Sequence, residues 1–246
     1  MSYSVLIVIP CYNEAETIAS TLFELKEVLN NTSELKYEIL VVNDCSTDNS
    51  LDIIKQAKVN YIDLPINLGI GGTVQTGYLY AQKNNFDIAV QFDGDGQHDP
   101  VYISKIVQPI IERKANVVIG SRFLNKEGFQ SSFLRRLGIR YFSLLNNILV
   151  KTKILDTTSG FRALDSKAIE EVCKYYPENY PEPEVIVLFV NNKFKLLEVP
   201  VLMRARTGGV SSISGLKALF YMFKVSIGSL FLYIRLKIGQ KNDNSF

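Results

Sequence analysis

Short apolar runs alternate with stretches of helical periodicity along the first half of the chain. Residues 5–9 and 37–42 are almost continuously apolar and rich in Val and Ile, and the first run ends at Pro10. Runs of this length and composition predict buried strands. Between them, residues 14–29 place apolar side chains three and four positions apart, which predicts an amphipathic helix.

The same alternation continues to about residue 119. Strands are expected near residues 59–63, 87–92 and 117–119. One helix is expected to begin at residues 46–48, a second to follow the glycine-rich segment as far as about residue 83, and a third to cover about residues 102–113. Strands that alternate with helices form a parallel sheet covered by helices on both faces. We therefore expect one α/β domain over residues 1–211, with ligands bound at the carboxyl ends of its strands.

Polar residues gather directly after four of the predicted strands. Asp93-Gly94-Asp95 is the sharpest of these features, because two carboxylates flank a glycine at the end of an apolar strand. The two carboxylates would repel each other without a cation, and their hard oxygens suit Mg²⁺ or Mn²⁺. Gln97 is a candidate third ligand, and Gly94 permits close backbone approach to a bound group. An ordinary acidic turn is the alternative interpretation.

Composition narrows the chemistry further. The chain has 246 residues, of which 47% are hydrophobic, and this is typical of a folded globular protein. His98 is the only histidine, which argues against histidine triads and zinc chemistry, and we expect it to form local hydrogen bonds. The three cysteines lack disulfide or metal spacing, and no signal peptide is expected. The glycine-rich segment 67–72 fits a helix start better than a phosphate loop.

The C-terminal part of the chain has a different character. Residues 199–242 contain seven Lys and Arg residues and no Asp or Glu, although the whole chain has a net charge of only +2. Residues 219–234 are largely apolar, but the run is shorter than the roughly 20 residues that a spanning helix needs. We therefore expect residues 212–246 to form a basic amphipathic segment on a membrane surface. A core helix packed on the main domain and a solvated basic tail are the alternatives.

Six short segments stand in a fixed order between residue 4 and about residue 212. They are residues 9–14 (IPCYNE), 42–48 (VNDCSTD), 93–100 (DGDGQHDP), 120–122 (GSR), 159–162 (SGFR) and 198–201 (EVPV). In this order they resemble the family-2 glycosyltransferases of GT-A fold, in particular the polyprenyl-phosphate and dolichyl-phosphate sugar transferases. One departure is Cys45, which stands where that family usually has glycine.

The resemblance implies a role for each matching residue. The donor nucleotide sugar would be bound by Pro10, Tyr12, Glu14, Val42, Asp44, Asp93, Gly94, Asp95, Arg122 and Arg206. A Mg²⁺ or Mn²⁺ ion would be held by Asp93, Asp95 and Gln97, and the acceptor phosphate by Arg135, Ser159 and Arg162. Asp95, Arg122 and Arg162 would act in catalysis. For Arg135, surface salt bridging is the alternative.

The implied reaction is inverting transfer of one sugar from a nucleotide sugar, with a UDP-sugar favoured. The acceptor would be a polyprenyl phosphate such as undecaprenyl phosphate at the cytoplasmic face of the membrane, for cell-surface glycan assembly. A phosphate monoester is already an anion near neutral pH, so this reaction needs no strong base. The alternative acceptor is a hydroxyl of a lipid-linked glycan or polysaccharide intermediate, which needs a carboxylate base, and Asp156 and Glu184 are the candidates. A small integral membrane protein is an expected partner, and nucleic acid is not.

Overall fold

The secondary structure is an alternation of strands and helices. The computed structural model describes residues 3–31, 35–125, 133–177, 181–205 and 216–243. Its strands are β1 (Ser4–Cys11), β2 (Lys36–Asn43), β3 (Asn60–Asp63), β4 (Ile88–Gln91), β5 (Val117–Ser121), β6 (Arg162–Asp165) and β7 (Leu196–Pro200). Its α-helices are α1 (Ile18–Asn30), α2 (Ser50–Gln56), α3 (Gly69–Lys83), α4 (Ile103–Ile111), α5 (Phe133–Val150), α6 (Ser166–Lys174), α7 (Pro181–Asn191) and α8 (Leu216–Asp243).

The strands form a seven-stranded sheet in the order β3-β2-β1-β4-β6-β5-β7. Neighbouring strands are parallel except at β6, which is antiparallel to both β4 and β5. The predicted α/β class and mostly parallel sheet are confirmed. Residues 5–9 of β1 are fully buried, which explains a continuous rather than an alternating apolar run, since helices cover both faces of the sheet.

Two hydrophobic layers cover the two faces of the sheet. On one face Ile7 and Val90 pack with α1 and α4, and on the other Val8 and Ala89 pack with α3, α6 and α7. Gly77 of α3 lies so close to β1 that a Cβ atom there would be 2.1 Å from Val8 Cγ1. The missing side chain therefore lets the helix backbone approach the strand.

The apolar pattern predicts strands β1 to β5 and misses β6 and β7. Arg162 is the first residue of β6 and pairs with Gln91 and Ile119. This strand is only four residues long. Its hydrogen bonds go to strands that are distant in sequence, so local periodicity carries little signal for it.

The C-terminal helix α8 packs on α7 and α5. Val225, Ser229 and Leu232 of α8 are buried, so one face of the helix belongs to the core, as the core-helix alternative expects. The opposite face is exposed. In the described part of the chain, no helix combines the length and hydropathy needed to cross a membrane. The domain boundary near residue 211 lies outside the described residues and stays a prediction.

Candidate active site

The loops that follow β1 and β2 are joined through polar side chains. The Asn13 N–H donates to Ser46 Oγ at 3.0 Å, and the Thr47 N–H donates to Asn13 Oδ1 at 2.8 Å. The Glu14 N–H donates to Ser50 Oγ at 2.9 Å. Asn13 has a φ of 53°, a left-handed conformation that asparagine adopts more readily than most residues. The two strand ends predicted to bind the nucleoside are therefore fixed to each other.

Asp44 connects these loops to the start of α3. Its carboxylate is buried and accepts the Leu68 N–H at 2.6 Å, while its carbonyl accepts from Asn67 Nδ2 at 3.2 Å. Tyr12 is 48% exposed at the same edge of the sheet, where its ring is open to a planar ligand. The predicted nucleoside residues are thus brought to one edge, although binding of a nucleoside there stays a prediction. These residues are Pro10, Tyr12, Glu14, Val42 and Asp44.

The Asp93-Gly94-Asp95 turn is held by the N-terminal part of α1. Thr17 Oγ1 and Thr21 Oγ1 both donate to the Gly94 carbonyl, at 3.0 and 3.3 Å. A Cβ atom on Gly94 would be 3.3 Å from Ile18 Cδ1, so the turn packs tightly against the helix. Neither threonine is predicted as a site residue from the sequence. Their spacing of four residues, on the apolar side of the predicted helix, is the pattern that could have indicated a shared buried contact.

His98 closes the same turn. Its Nδ1 accepts the Asp93 N–H at 3.0 Å, and its ring stacks on Phe161 with centroids 4.8 Å apart. Burial lowers the pKa of His98 to about 4, so the imidazole is neutral at pH 7. The expected local hydrogen-bonding role is confirmed. An isolated β-bridge between His98 and Met203 also joins the turn to the segment that leads towards residue 206.

The chemistry of the turn fits a shared metal ion. In the ranges that the structure describes, no group of three or more His, Cys, Asp or Glu side chains forms a metal cage around Asp93 and Asp95. Mg²⁺ and Mn²⁺ are commonly held by one or two carboxylates plus water and substrate phosphates, and this turn supplies that number. Gln97 donates its N–H to Asp95 Oδ1 at 3.0 Å and its Nε2 to the Arg204 carbonyl at 3.4 Å. Ligation by Gln97 stays a prediction.

A buried ion pair lies beside this turn. Arg122 and Asp156 are 7% and 0% exposed, and the Arg122 Nε and Nη2 atoms donate to the two Asp156 oxygens at 2.8 and 2.7 Å. Burial opposes the guanidinium charge, but Asp156 outweighs it and raises the pKa of Arg122. Glu198 in turn accepts the N–H groups of Leu155 and Asp156, both at 2.8 Å. No role for Glu198 is predicted from the sequence, although a glutamate within an apolar segment indicates a carboxylate with buried hydrogen-bond partners.

Arg162 lies beneath the site with a relative exposure of 1%. Its Nε donates to the Ser159 carbonyl at 2.7 Å and its Nη2 to the Thr157 carbonyl at 2.8 Å. The Ser159 hydroxyl donates to the Gly120 carbonyl at 2.7 Å. Arg162 Nη1 is buried and has no hydrogen-bond partner within the described residues. In this conformation Arg162 and Ser159 hold the 157–159 turn, and their predicted contact with the acceptor phosphate stays a prediction.

The two glutamates at the start of α7 face different surroundings. Glu184 is buried against α8, where a Cβ atom on Gly228 would be 2.6 Å from its Oε1. Burial raises the pKa of Glu184 to about 7, and Lys224 partly opposes that shift. Glu182 is not predicted as a site residue from the sequence. Burial raises its pKa, and it interacts electrostatically with Arg162 and Asp93. Of these two carboxylates, Glu182 is therefore the one coupled to the candidate site.

The structure does not describe the side chains of two arginines that are predicted to bind phosphate. Arg206 lies in residues that the structure does not describe, and only the backbone of Arg135 is described, as part of α5. Their roles stay predictions.

The described geometry defines a class of protein. Two polar loops, a turn with two carboxylates and a buried arginine meet at the carboxyl ends of mostly parallel strands, where α/β proteins of the open-sheet class bind their ligands. The chain belongs to glycosyl transferase family 2, whose family model matches residues 6–173.

Several similar proteins are named for sugar transfer to lipid phosphates. The UDP-N-acetylglucosamine–dolichyl-phosphate N-acetylglucosaminyltransferase of Methanococcus voltae is 29% identical, over 92% of this chain and 97% of that protein. The undecaprenyl-phosphate mannosyltransferase of Micrococcus luteus is 28% identical, over 86% of this chain and 88% of that protein.

Solved structures share the fold at low sequence identity. Glucosyl-3-phosphoglycerate synthase from Mycobacterium tuberculosis, in complex with Mn²⁺, UDP and glucosyl-3-phosphoglycerate, superposes with a TM-score of 0.71 at 17% identity. The match covers 94% of this chain and 80% of that one. The GT-A fold is therefore shared across the greater part of both chains.

Proposed function

We propose that this protein transfers one sugar, with inversion, from a nucleotide-sugar donor to a polyprenyl phosphate such as undecaprenyl phosphate. A UDP-sugar is the favoured donor, because the Methanococcus voltae relative is named for UDP-N-acetylglucosamine and the Mycobacterium tuberculosis neighbour holds UDP. The product would be a lipid-linked monosaccharide for cell-surface glycan assembly.

The observation that carries the proposal is the engagement of Asp156. A hydroxyl acceptor needs a base to take its proton, and Asp156 is fully buried with both carboxylate oxygens bonded to Arg122. Glu184, the other predicted base, is turned towards α8. A phosphate monoester is already ionised near neutral pH, so it needs neither carboxylate.

The transfer step forms a bond between an acceptor phosphate oxygen and the anomeric carbon. The bond from that carbon to the donor diphosphate breaks, and the nucleoside diphosphate leaves with the electron pair. Asp93 and Asp95 would hold Mg²⁺ or Mn²⁺, which supplies positive charge to the leaving diphosphate. Arg122, oriented by Asp156, would stabilise the same developing charge, and loss of one such preorganised donor typically costs roughly 3 kcal/mol.

A hydroxyl acceptor on a lipid-linked glycan or polysaccharide is the second candidate. The observation that favours it is Glu182, whose raised pKa and coupling to Asp93 suit a general base. Replacing Glu182 with Gln separates the two reactions. Transfer to a hydroxyl would fall by about 10²–10⁴-fold without its base, whereas transfer to a lipid phosphate would change less than tenfold.

The proposed location is the cytoplasmic face of the membrane, with peripheral attachment. The lipid named for the Micrococcus luteus relative is undecaprenyl phosphate, and such an acceptor requires contact with the bilayer. A separate small integral membrane protein as partner stays a prediction, which co-purification from detergent extracts would test.

The experiment is a radiolabelled transfer assay with undecaprenyl phosphate, Mg²⁺ or Mn²⁺ and a panel of nucleotide sugars. We expect label in the organic phase with the wild-type protein and with Asp52→Asn, an exposed carboxylate on α2. Asp95→Asn is expected to remove it. Donor turnover without organic-phase label would contradict the lipid-phosphate acceptor and leave the glycan alternative.

A further inference from the structure

Helix α5 presents a second apolar face, opposite the one that it buries. Ile139, Phe142 and Asn146 point into the fold. On the other side lies an exposed stripe of residues three and four positions apart, which share one helical face. These residues are Leu137 (57% exposed), Tyr141 (40%), Leu144 (61%) and Ile148 (67%).

Helix α8 has the same two-sided character. Its buried positions include Val225 and Leu232. Its outward stripe consists of Phe223 (65% exposed), Ile227 (37%), Leu230 (45%), Phe231 (67%), Ile234 (42%) and Ile238 (56%). A helix on a water-exposed surface normally carries polar residues there, so both outward faces need an apolar partner.

The two stripes adjoin each other. Tyr141, a member of the α5 stripe, shares a hydrogen bond of 2.9 Å between its Oη and Ser226 Oγ on α8. Ser226 precedes Ile227 of the α8 stripe, and Leu230 lies one helical turn further on. We call these ten exposed residues, four on α5 and six on α8, the two-helix face.

The charged residues of the two helices are almost all cations. The α5 sequence contains no Asp or Glu, and that of α8 contains only its last residue, Asp243. Exposed cations lie on both helices or directly after them: Arg140, Lys151, Lys224, Arg235 and Lys237. An apolar surface flanked by cations and free of carboxylates complements a bilayer whose headgroups are anionic.

We propose that the two-helix face docks on an anionic lipid bilayer, with α5 and α8 lying in the interface and their basic side chains at the headgroups. The inference rests on the proposed function only in that a lipid-phosphate acceptor gives docking a purpose. It goes beyond a C-terminal membrane helix, because α5, in the middle of the chain, contributes four of the ten residues of the face.

The structure also ties this face to the candidate site. Ser143, on the buried side of α5, donates its hydroxyl to the Leu155 carbonyl at 2.7 Å. Asn147 Oδ1 on the same helix accepts the Ile154 N–H at 3.2 Å. Asp156, the partner of Arg122, directly follows Leu155 in the chain. Docking of α5 would therefore set the position of the ion pair relative to the lipid headgroups.

The test is sedimentation of the full chain with vesicles, in the absence of donor and acceptor. Vesicles of phosphatidylcholine alone are compared with vesicles that also contain phosphatidylglycerol, whose anionic headgroups give a negative surface potential. We expect binding to the anionic vesicles that weakens as salt rises. Leu144→Glu and Phe231→Glu should each weaken it at least about tenfold, and Arg140→Gln about fivefold. Phe23→Glu, on α1 and also 67% exposed, is the matched control and should bind like wild type.

Transfer to a water-soluble, short-chain prenyl phosphate is measured on the same variants. We expect Leu144→Glu and Phe231→Glu to retain it, which shows that they are folded and separates failure of docking from failure of the proposed reaction. Wild-type protein that ignores anionic vesicles would overturn the proposal. So would a dimer in analytical ultracentrifugation that Leu144→Glu dissociates, because the face would then bind a second copy of the chain.

Discussion

Removing one member of the Arg122–Asp156 pair should be far more damaging than removing both. Asp156→Asn keeps the shape of the side chain but leaves the Arg122 guanidinium, 7% exposed, without its counter-ion. Loss of one partner of a buried pair typically costs about 3–5 kcal/mol. We expect about 3 kcal/mol, because an amide oxygen at the Oδ2 position still accepts two of the three Arg122 N–H groups that now reach Asp156.

The double variant separates charge burial from shape. Arg122→Met alone should also cost about 3 kcal/mol, since it strands the Asp156 carboxylate. Arg122→Met combined with Asp156→Asn leaves no uncompensated charge, so we expect a loss of only about 1 kcal/mol, because apolar replacements of buried pairs are often tolerated. These three values imply a coupling of about 5 kcal/mol between the two changes.

Urea unfolding followed by circular dichroism measures all three variants. Glu112→Gln, which removes the exposed pair between Lys114 Nζ and Glu112 Oε2 at 2.6 Å, is the control and should cost less than about 1 kcal/mol. The transfer rate should fall by roughly 10²–10³-fold in both Arg122 variants, including the restabilised double variant. Single variants that cost under about 1 kcal/mol, or effects that simply add, would refute the reasoning.

Three further predictions concern the fold and its pH dependence. Gly77→Ala should destabilise the protein by about 1–3 kcal/mol through overpacking against Val8, and Val8→Ala in the same chain should recover part of that loss in urea unfolding. Thr17→Val and Thr21→Val should each lower the free energy of unfolding only slightly, but the double variant should lose about 1–3 kcal/mol because the Gly94 carbonyl then loses both donors. Small effects that simply add would contradict this. Glu184 has a folded pKa of about 7 against an ordinary 4.5, so the unfolded chain loses its proton first and stability should fall by up to about 3 kcal/mol as pH rises from 4.5 to 7. Glu184→Gln should remove that slope, and urea midpoints at pH 5 and pH 8 would show it; an unchanged slope would contradict the assignment.

The candidate site is predictable from sequence as far as local pattern reaches. Asp93 and Asp95 are identified because they follow an apolar strand, and the order of strands and helices brings that strand end to the ligand-binding edge of a parallel sheet. The loops after β1 and β2 are predicted for the same reason, and the structure brings them together through Asn13 and Ser46. Local pattern does not predict the hydrogen-bond partners of these residues, since bonds such as that from Thr17 to the Gly94 carbonyl join positions far apart in the chain.

Local sequence patterns predict the α/β class, the first five strands, the acidic turn and the basic, apolar C-terminal helix. Each of these depends on the spacing of side chains along a short segment, which the backbone geometry of helices and strands converts directly into structure. The packing of segments distant in sequence makes β6 antiparallel in the sheet, binds Asp156 to Arg122, and places Glu184 against α8. These outcomes depend on which distant segments bury their polar groups against one another, and a carboxylate's neighbours, not its position in the sequence, set its charge and its role.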